Sequence, residues 1–86
     1  MPKPKPHMNA DLLRAVGYRV RSLRLKRNWT QEDLAAKADM DRTFIADIER
    51  GKRNFTLVYI DVLATAFDLT LAQFFSGVSA RRLDKP

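Results

Sequence analysis

The sequence predicts an all-α protein, a compact five-helix domain, on two observations. Apolar residues recur at steps of three and four along most of the chain, which is the spacing of helices with one buried face. A residue that can cap a helix precedes each such segment, and no alternating pattern is long enough to build a sheet. A chain of 86 residues has room for one small domain, so a modest core or a pair of chains must supply its stability.

The first two helices are predicted from their caps and apolar stripes. Helix 1 begins after Asn9, a good N-cap, and ends near Asn28, a residue type that tolerates a left-handed backbone. Its buried stripe is Leu12, Val16, Val20 and Leu23. Thr30 caps helix 2, whose inward face includes two alanines that let another helix approach closely. That face is Leu34, Ala35 and Ala38.

Three further helices complete the domain. A turn at residues 39–41 leads into helix 3, which Asp41 caps and Gly51 ends. Helix 4 follows Thr56, and helix 5 begins at Thr70. The predicted buried residues are Leu57, Ile60, Leu63, Ala64 and Phe67 on helix 4, and Leu71, Phe74 and Phe75 on helix 5. The folded domain is therefore predicted at residues 9–77, with a polar tail at residues 78–86.

The first eight residues form a separate segment with two open interpretations. Prolines 2, 4 and 6 exclude a helix because each lacks an N–H, so residues 1–8 are predicted to be extended and basic. One interpretation is an arm that lies along phosphates. Alternatively the segment is dispensable, with His7 and Met8 resembling a cloning junction and Met8 as the natural start.

Composition restricts the partner and the chemistry. The chain has 16 lysines and arginines against 10 acidic residues, a net charge of +6 that favours a polyanionic partner. The absence of cysteine excludes disulfides and thiolate chemistry, and a cytoplasmic location is expected because neither a membrane span nor a secretory signal is present. One histidine, no phosphate-binding glycine loop and no metal-ligand set predict a protein without catalytic residues, metal or cofactor.

Helices 2 and 3, joined by a tight turn, have the pattern of a helix-turn-helix, in which helix 3 lies in the major groove of double-stranded DNA. Ile45 and Ile48 point to the core. The opposite face consists of Thr43, Ala46, Asp47 and Arg50, with Arg42 and Glu49 on the flanks and Phe44 at the edge of the core side. Short side chains let the helix approach base edges, and arginines can donate to guanine or phosphate.

Asp47 is the residue that fits this face least, because phosphates repel a carboxylate. It can accept a hydrogen bond from a cytosine amino group, or a neighbouring arginine such as Arg50 can neutralise it. We favour neutralisation.

Phosphate contacts are predicted at two places. The loop after helix 3 carries three cations and an amide within five residues, a composition that can hold the DNA backbone. These residues are Arg50, Lys52, Arg53 and Asn54. At the start of helix 2, Gln31 and the free N–H groups can hold another phosphate because helix N-termini attract anions.

Helix 4 has apolar residues on more than one side, which predicts a homodimer. Those away from the buried stripe are Val58, Tyr59, Val62 and Ala66. A single small domain has no second core to receive them, so a twofold pair of chains is expected. Its two copies of helix 3 would lie about one DNA turn apart on a palindromic site.

The segment from Val16 to Phe75 resembles the lambda-repressor-like helix-turn-helix family, also called the Xre or Cro/C1 type. The motifs that carry the resemblance are Val16–Arg24, Trp29–Ala35, Phe44–Gly51, and the run Leu63–Leu69 with Phe74 and Phe75. Within the family, residues 41–45, 49–50 and 53–54 resemble the controller proteins of restriction-modification systems.

The resemblance implies roles for individual residues. Arg42, Thr43 and Phe44 are implied to meet bases, and Gln31 and the loop to meet phosphates. Glu49 is implied to pair inside the protein with an arginine of helix 1, such as Arg21 or Arg24. Ala46 and Asp47 depart from the family's pattern, so the recognised bases are not predicted.

The sequence therefore predicts a homodimeric transcriptional regulator that occupies a palindromic operator and blocks or recruits RNA polymerase. A protein-interaction adaptor with the same fold, coactivator or antitoxin-like, is the first alternative. The second is binding to RNA or an anionic membrane without regard to sequence.

Overall fold

The computed structural model describes residues 9–78, and five α-helices contain most of them. The helices are α1 (Ala10–Lys26), α2 (Gln31–Ala38), α3 (Arg42–Glu49), α4 (Leu57–Ala66) and α5 (Leu71–Phe75). No strand occurs within this range. The predicted five-helix, all-α fold is confirmed. The predicted arm at residues 1–8 and residues 79–86 of the predicted tail lie outside the described residues.

The start of each of these helices is set by its own cap, as predicted. The side chain of every N-cap residue accepts a hydrogen bond from a backbone N–H of the first turn. The five caps are Asn9, Thr30, Asp41, Thr56 and Thr70. At Thr30 and Thr70 the bond is reciprocal, because the third helical residue also accepts from the cap's N–H.

Left-handed residues close several helix ends. Asn28 has a φ of 58°, as its residue type predicted, and Gly51 after α3 has a φ of 69°. Asp39 and Asp68 adopt the same conformation at φ 54° and 62°, which the sequence analysis did not foresee. Aspartate and asparagine visit this region more readily than other residues with a Cβ because their short polar side chains bond locally.

One core unites the five helices. It consists of Val16, Val20, Leu23, Leu34, Ala35, Ala38, Ile45, Ile48, Ile60, Leu63, Ala64, Phe67 and Phe74. In this arrangement α3 packs against both α1 and α2. The ring of Trp29, just before α2, stacks on Phe67 at the end of α4 with 5.7 Å between ring centroids. The start of α2 is thereby fixed against α4.

Two predictions about the core were wrong, those for Leu57 and Phe75. Leu57 is 62% exposed because it opens α4, and the core contacts of that helix begin only at Ile60. Phe75 is 38% exposed because Phe74 takes the buried position, and successive helical residues point about 100° apart. On α1, Leu13 is buried and Leu12 only half-buried.

Gly17 sets the distance between α1 and α3. A Cβ at this position would collide with the backbone carbonyl oxygens of Ile48 and Glu49. Glycine is therefore required by close approach, since its φ lies outside the left-handed region. This contact brings the end of α3 directly against α1.

Two arginines stabilise helix ends from within the protein. Arg19 donates to the carbonyl oxygens of Gln73 and Phe74 at 2.8 Å each, at the end of α5. Arg27 donates to the carbonyls of Leu23 and Phe67. Cations near a helix C-terminus also complement its dipole. Part of the positive charge that suggested a polyanionic partner thus has a structural use.

Candidate DNA-binding surface

The outer face of α3 is polar and open. Asp41 caps the helix by accepting from the N–H of Thr43 at 2.9 Å, and Ile45 and Ile48 are fully buried on the inner side. Arg42, Thr43 and Arg50 are exposed, and Ala46 and Asp47 are half-buried. The structure therefore brings five of the six predicted base-reading residues to one surface.

The guanidinium of Arg42 is held by Gln31. Arg42 Nη1 donates to Gln31 Oε1 at 3.2 Å, and Gln31 Nε2 donates to Glu49 Oε1 at 3.2 Å. The side-chain amide of Gln31, on α2, thus bridges the first and last residues of α3, Arg42 and Glu49. Sequence reasoning missed this bridge because it assigned the amide to a phosphate. The backbone N–H of Gln31 still lies in the first turn of α2, where helix donors have no intrahelical acceptor.

Beneath this bridge, Arg24 and Glu49 form a buried ion pair. Arg24 Nε lies 2.6 Å from Glu49 Oε2, Nη2 donates to Oε1 at 2.9 Å, and Nη1 donates to the carbonyl of Trp29 at 2.8 Å. The side chains are 8% and 2% exposed. The hydrogen bond to Glu49 raises the pKa of Arg24 against the opposing effect of burial. The pairing implied for Glu49 is confirmed, with Arg24 rather than Arg21 as the partner.

The carboxylate of Asp47 is paired with two arginines. Arg50 Nη2 lies 2.6 Å from Asp47 Oδ1, and Arg53 Nη2 lies 3.7 Å from Oδ2. These contacts are those that neutralisation requires. Because these arginines lie next to the carboxylate of Asp47, its negative charge is compensated and need not repel phosphates.

Phe44 lies at the edge of the outer face and not on it. Its half-buried ring packs on Tyr59 of α4, with 4.9 Å between centroids, and Arg53 Cζ lies 4.7 Å from the centroid of the same ring. The structure places this predicted base-reading residue between α4 and the loop.

The cationic loop follows α3 directly. Lys52, Arg53 and Asn54 are exposed. The N–H of Lys52 donates to the carbonyl of Asp47 at 2.9 Å, which ties the loop to the end of α3. The predicted phosphate-binding residues of the loop therefore lie beside the predicted base-reading face.

The predicted dimer surface on α4 is open at its N-terminal end. Val58 is 71% exposed and Tyr59 is exposed, whereas Val62 and Ala66 are half-buried against the core. Leu57 and Phe75, which were expected inside, are exposed as well. The polar Asp61, one turn after Leu57, was the available signal that this side of α4 faces outward.

An apolar cavity of about 320 Å³ adjoins this surface. Its lining residues are Asn9, Leu12, Leu13, Val16, Asn54, Phe55, Leu57, Ile60 and Phe75. An open polar cleft of about 600 Å³ lies near the start of α2, and its lining includes Arg24, Gln31 and Arg42. The apolar cavity and the polar cleft share no lining residue, so they are separate features.

The described residues show neither a membrane span nor a cluster of metal ligands. Within residues 9–78, no helix is long and apolar enough to cross a bilayer. In the same range, no group of three or more histidine, cysteine, aspartate and glutamate side chains is placed to hold a metal ion.

Comparison with known proteins agrees with this geometry. The pattern of the helix-turn-helix family HTH_3 matches residues 20–74. The control protein C.MunI of Mycoplasma is 36% identical over 69 residues, which are 79% of this chain and 93% of that protein. The control protein C.BamHI of Bacillus amyloliquefaciens is 49% identical over 51 residues, 58% of this chain and 63% of that protein.

Two solved structures extend the comparison to the fold. The restriction-modification controller C.AhdI from Aeromonas hydrophila is 41% identical, with a TM-score of 0.70 over 73% of this chain and 96% of that one. The controller C.Esp1396I, crystallised as a tetramer with its natural 35 base-pair operator, is 37% identical, with a TM-score of 0.72 over 76% of this chain and 86% of that one. The chain belongs to the lambda-repressor-like helix-turn-helix family of transcriptional regulators.

Proposed function

We propose that the chain is a homodimeric regulator that binds a palindromic operator in double-stranded DNA with α3 in the major groove. The observation that carries this proposal is the outer face of α3, where Arg42 is exposed and held by Gln31 next to short side chains. A guanidinium that is oriented before binding loses less side-chain entropy when it donates to guanine.

Phosphate contacts supply the remainder of the affinity. Lys52, Arg53 and Asn54 lie at the end of α3, and the N–H of Gln31 lies at the start of α2. Backbone N–H groups at a helix start bind anions, and exposed cations hold the phosphates that line a groove. These contacts position α3 without reading sequence.

Dimerisation follows from the exposed apolar residues of α4. Val58 and Tyr59 are exposed on one side of α4, with Val62 and Ala66 half-buried on the same side. Pairing through this surface around a twofold axis would present two copies of α3 to successive turns of one duplex face, about 34 Å apart. The related C.Esp1396I is a tetramer on its natural operator, which supports assembly on DNA.

We place the chain among the restriction-modification controllers because several of its relatives carry that name. In such a role it would act in the cytoplasm without catalysis. It would raise or lower transcription by recruiting or blocking RNA polymerase, according to where the operator lies.

Selection on a pool of random duplex DNA tests this function. We expect a palindromic consensus with half-sites about one turn apart, bound by two chains. A scrambled duplex of the same length and composition is the control. If no duplex is bound more tightly than the scrambled one, DNA recognition is refuted.

The same selection separates this function from the protein-adaptor alternative. The exposed side chains of Leu57 and Phe75, which line the same apolar cavity, are the observation that favours an adaptor, since they could hold another protein. An adaptor would show no preference among duplexes.

A further inference from the structure

We propose that Asp47 determines specificity by holding Arg50 and Arg53 away from the phosphates of non-target DNA. This inference rests on the proposed function and adds a role that neither base reading nor phosphate binding describes. In this role Asp47 is a positioning residue, since it acts through the two arginines.

Asp47 uses its two carboxylate oxygens for two different arginines. Oδ1 lies 2.6 Å from Arg50 Nη2, and Oδ2 lies 3.7 Å from Arg53 Nη2. The side chain of Asp47 is 24% exposed, whereas those of Arg50 and Arg53 are 64% and 46% exposed. The carboxylate of Asp47 is thus less exposed to solvent than the two guanidinium groups with which it pairs.

Arg53 has a second support on the same side of α3. Its Cζ lies 4.7 Å from the centroid of Phe44, which is one helical turn before Asp47. The ring is itself fixed against Tyr59 at 4.9 Å. Arg53 therefore has a defined resting position above α3, between a carboxylate and an aromatic face.

The two kinds of complex with DNA use these arginines differently. Binding to non-target DNA depends almost entirely on cations that replace the counterions of phosphates. A phosphate must then displace Asp47 from Arg50 and Arg53, so each contact exchanges one anion for another and gains little. Asp47 thereby weakens the phosphate-driven mode.

On a preferred site, α3 is seated in the groove and the middle of its outer face meets base edges, while phosphates line the groove walls. Asp47 and Arg50 lie three residues apart on that face. In the seated complex we expect their pair to stay closed, because Arg50 faces base edges rather than phosphates, and only Arg53, in the loop, to exchange Asp47 for a phosphate of the groove wall. Removing the carboxylate should therefore strengthen non-target binding more than binding to the preferred site.

The test compares Asp47→Asn, Asp47→Glu and wild type on a selected duplex and on its scrambled counterpart at several salt concentrations. We expect Asp47→Asn to bind the scrambled duplex about two- to fivefold more tightly per protomer, the range of a partly exposed ion pair. The salt dependence should steepen by about one cation per protomer, and the ratio of preferred to scrambled affinity should fall. Asp47→Glu keeps the charge and should stay close to wild type.

Asp11→Asn is the matched control. Asp11 pairs with Arg14 three residues later at 2.6 Å, the same spacing and distance as Asp47 and Arg50, but on α1. If it tightens scrambled-duplex binding as much as Asp47→Asn does, net charge explains the effect and the proposal fails. Thermal unfolding of each variant confirms that the compared proteins are folded.

Other outcomes also overturn the proposal. If Asp47→Asn weakens only the preferred complex, Asp47 accepts a hydrogen bond from a base directly. If it changes neither affinity nor salt dependence, the ion pairs have no role in binding. A wild-type protein that prefers no duplex refutes the proposed function instead, which is a different result from either.

Discussion

Arg24 of α1 and Glu49, the last residue of α3, form a buried two-bond ion pair with N–O distances of 2.6 and 2.9 Å. The same carboxylate accepts from Gln31, whose other amide atom accepts from Arg42. A chain of polar contacts therefore leads from the core to the exposed arginine of the candidate reading face.

Glu49→Ala should destabilise the fold by about 3–5 kcal/mol, because it leaves the buried guanidinium of Arg24 without its counter-charge. Urea unfolding followed by circular dichroism measures the loss. The double variant Arg24→Met with Glu49→Leu should recover most of it, since no buried charge remains. Measured beside the single variants Arg24→Met and Glu49→Leu, additive losses in the double variant would show that the two side chains are not coupled.

Gly17→Ala should also destabilise the protein, by about 1–3 kcal/mol, because the new methyl group forces α3 away from α1. The sign of the change in the free energy of unfolding separates the two effects, since helix propensity alone favours alanine by about 1 kcal/mol. Tyr18→Ala at the exposed neighbouring position is the control and should change stability by less than about 0.5 kcal/mol. A stabilised Gly17→Ala variant would mean that the helices lie further apart.

Arg42→Ala should cost about 1–3 kcal/mol on a selected duplex and relax the preference at one base position in each half-site. Lys52→Ala should weaken selected and scrambled duplexes alike and lower the salt dependence. Fluorescence anisotropy titrations give both quantities. An Arg42→Ala protein with unchanged base preference would place the reading residues elsewhere.

Gln31→Ala tests whether the bridge orients Arg42. The exposed guanidinium would lose its acceptor and sample more rotamers, so the preferred complex should weaken by less than in Arg42→Ala. In the double variant Gln31→Ala with Arg42→Ala, the losses should be less than additive. Additivity would assign Gln31 a contact of its own, such as the phosphate first expected.

Val58→Lys should favour the monomer, because it would place two like charges at the proposed twofold surface of α4, where Val58 is exposed. Light scattering should then report about half the wild-type mass at the same concentration. Thr65→Lys, at an exposed polar position of the same helix, is the control for added charge. If Val58→Lys stays dimeric, the interface lies on another surface.

The local part of this fold could be predicted from the sequence. Caps such as Thr30 and Asp41 act within three residues, and the inward stripe of α3 follows from helical periodicity. The pairing of Asp47 with Arg50 was also accessible, since residues three apart are neighbours on a helix.

The features that were missed depend on tertiary packing. Gly17 is required by the backbone of α3, about thirty residues later in the chain, and no local pattern reports that approach. The bridge through Gln31 joins residues 11 and 18 positions away. Leu57 and Phe75 were placed inside because periodicity identifies a helix face but not whether a neighbour covers it.

The end of α3 at Glu49 is fixed twice, by its backbone against Gly17 and by its carboxylate against Arg24. These two contacts together hold the end of α3 in place. If α3 tilted on binding a duplex, these two contacts would resist movement at Glu49, and Arg42, seven residues away, would be displaced further. Small differences in groove width between DNA sites would thus change the position of Arg42 more than that of Glu49.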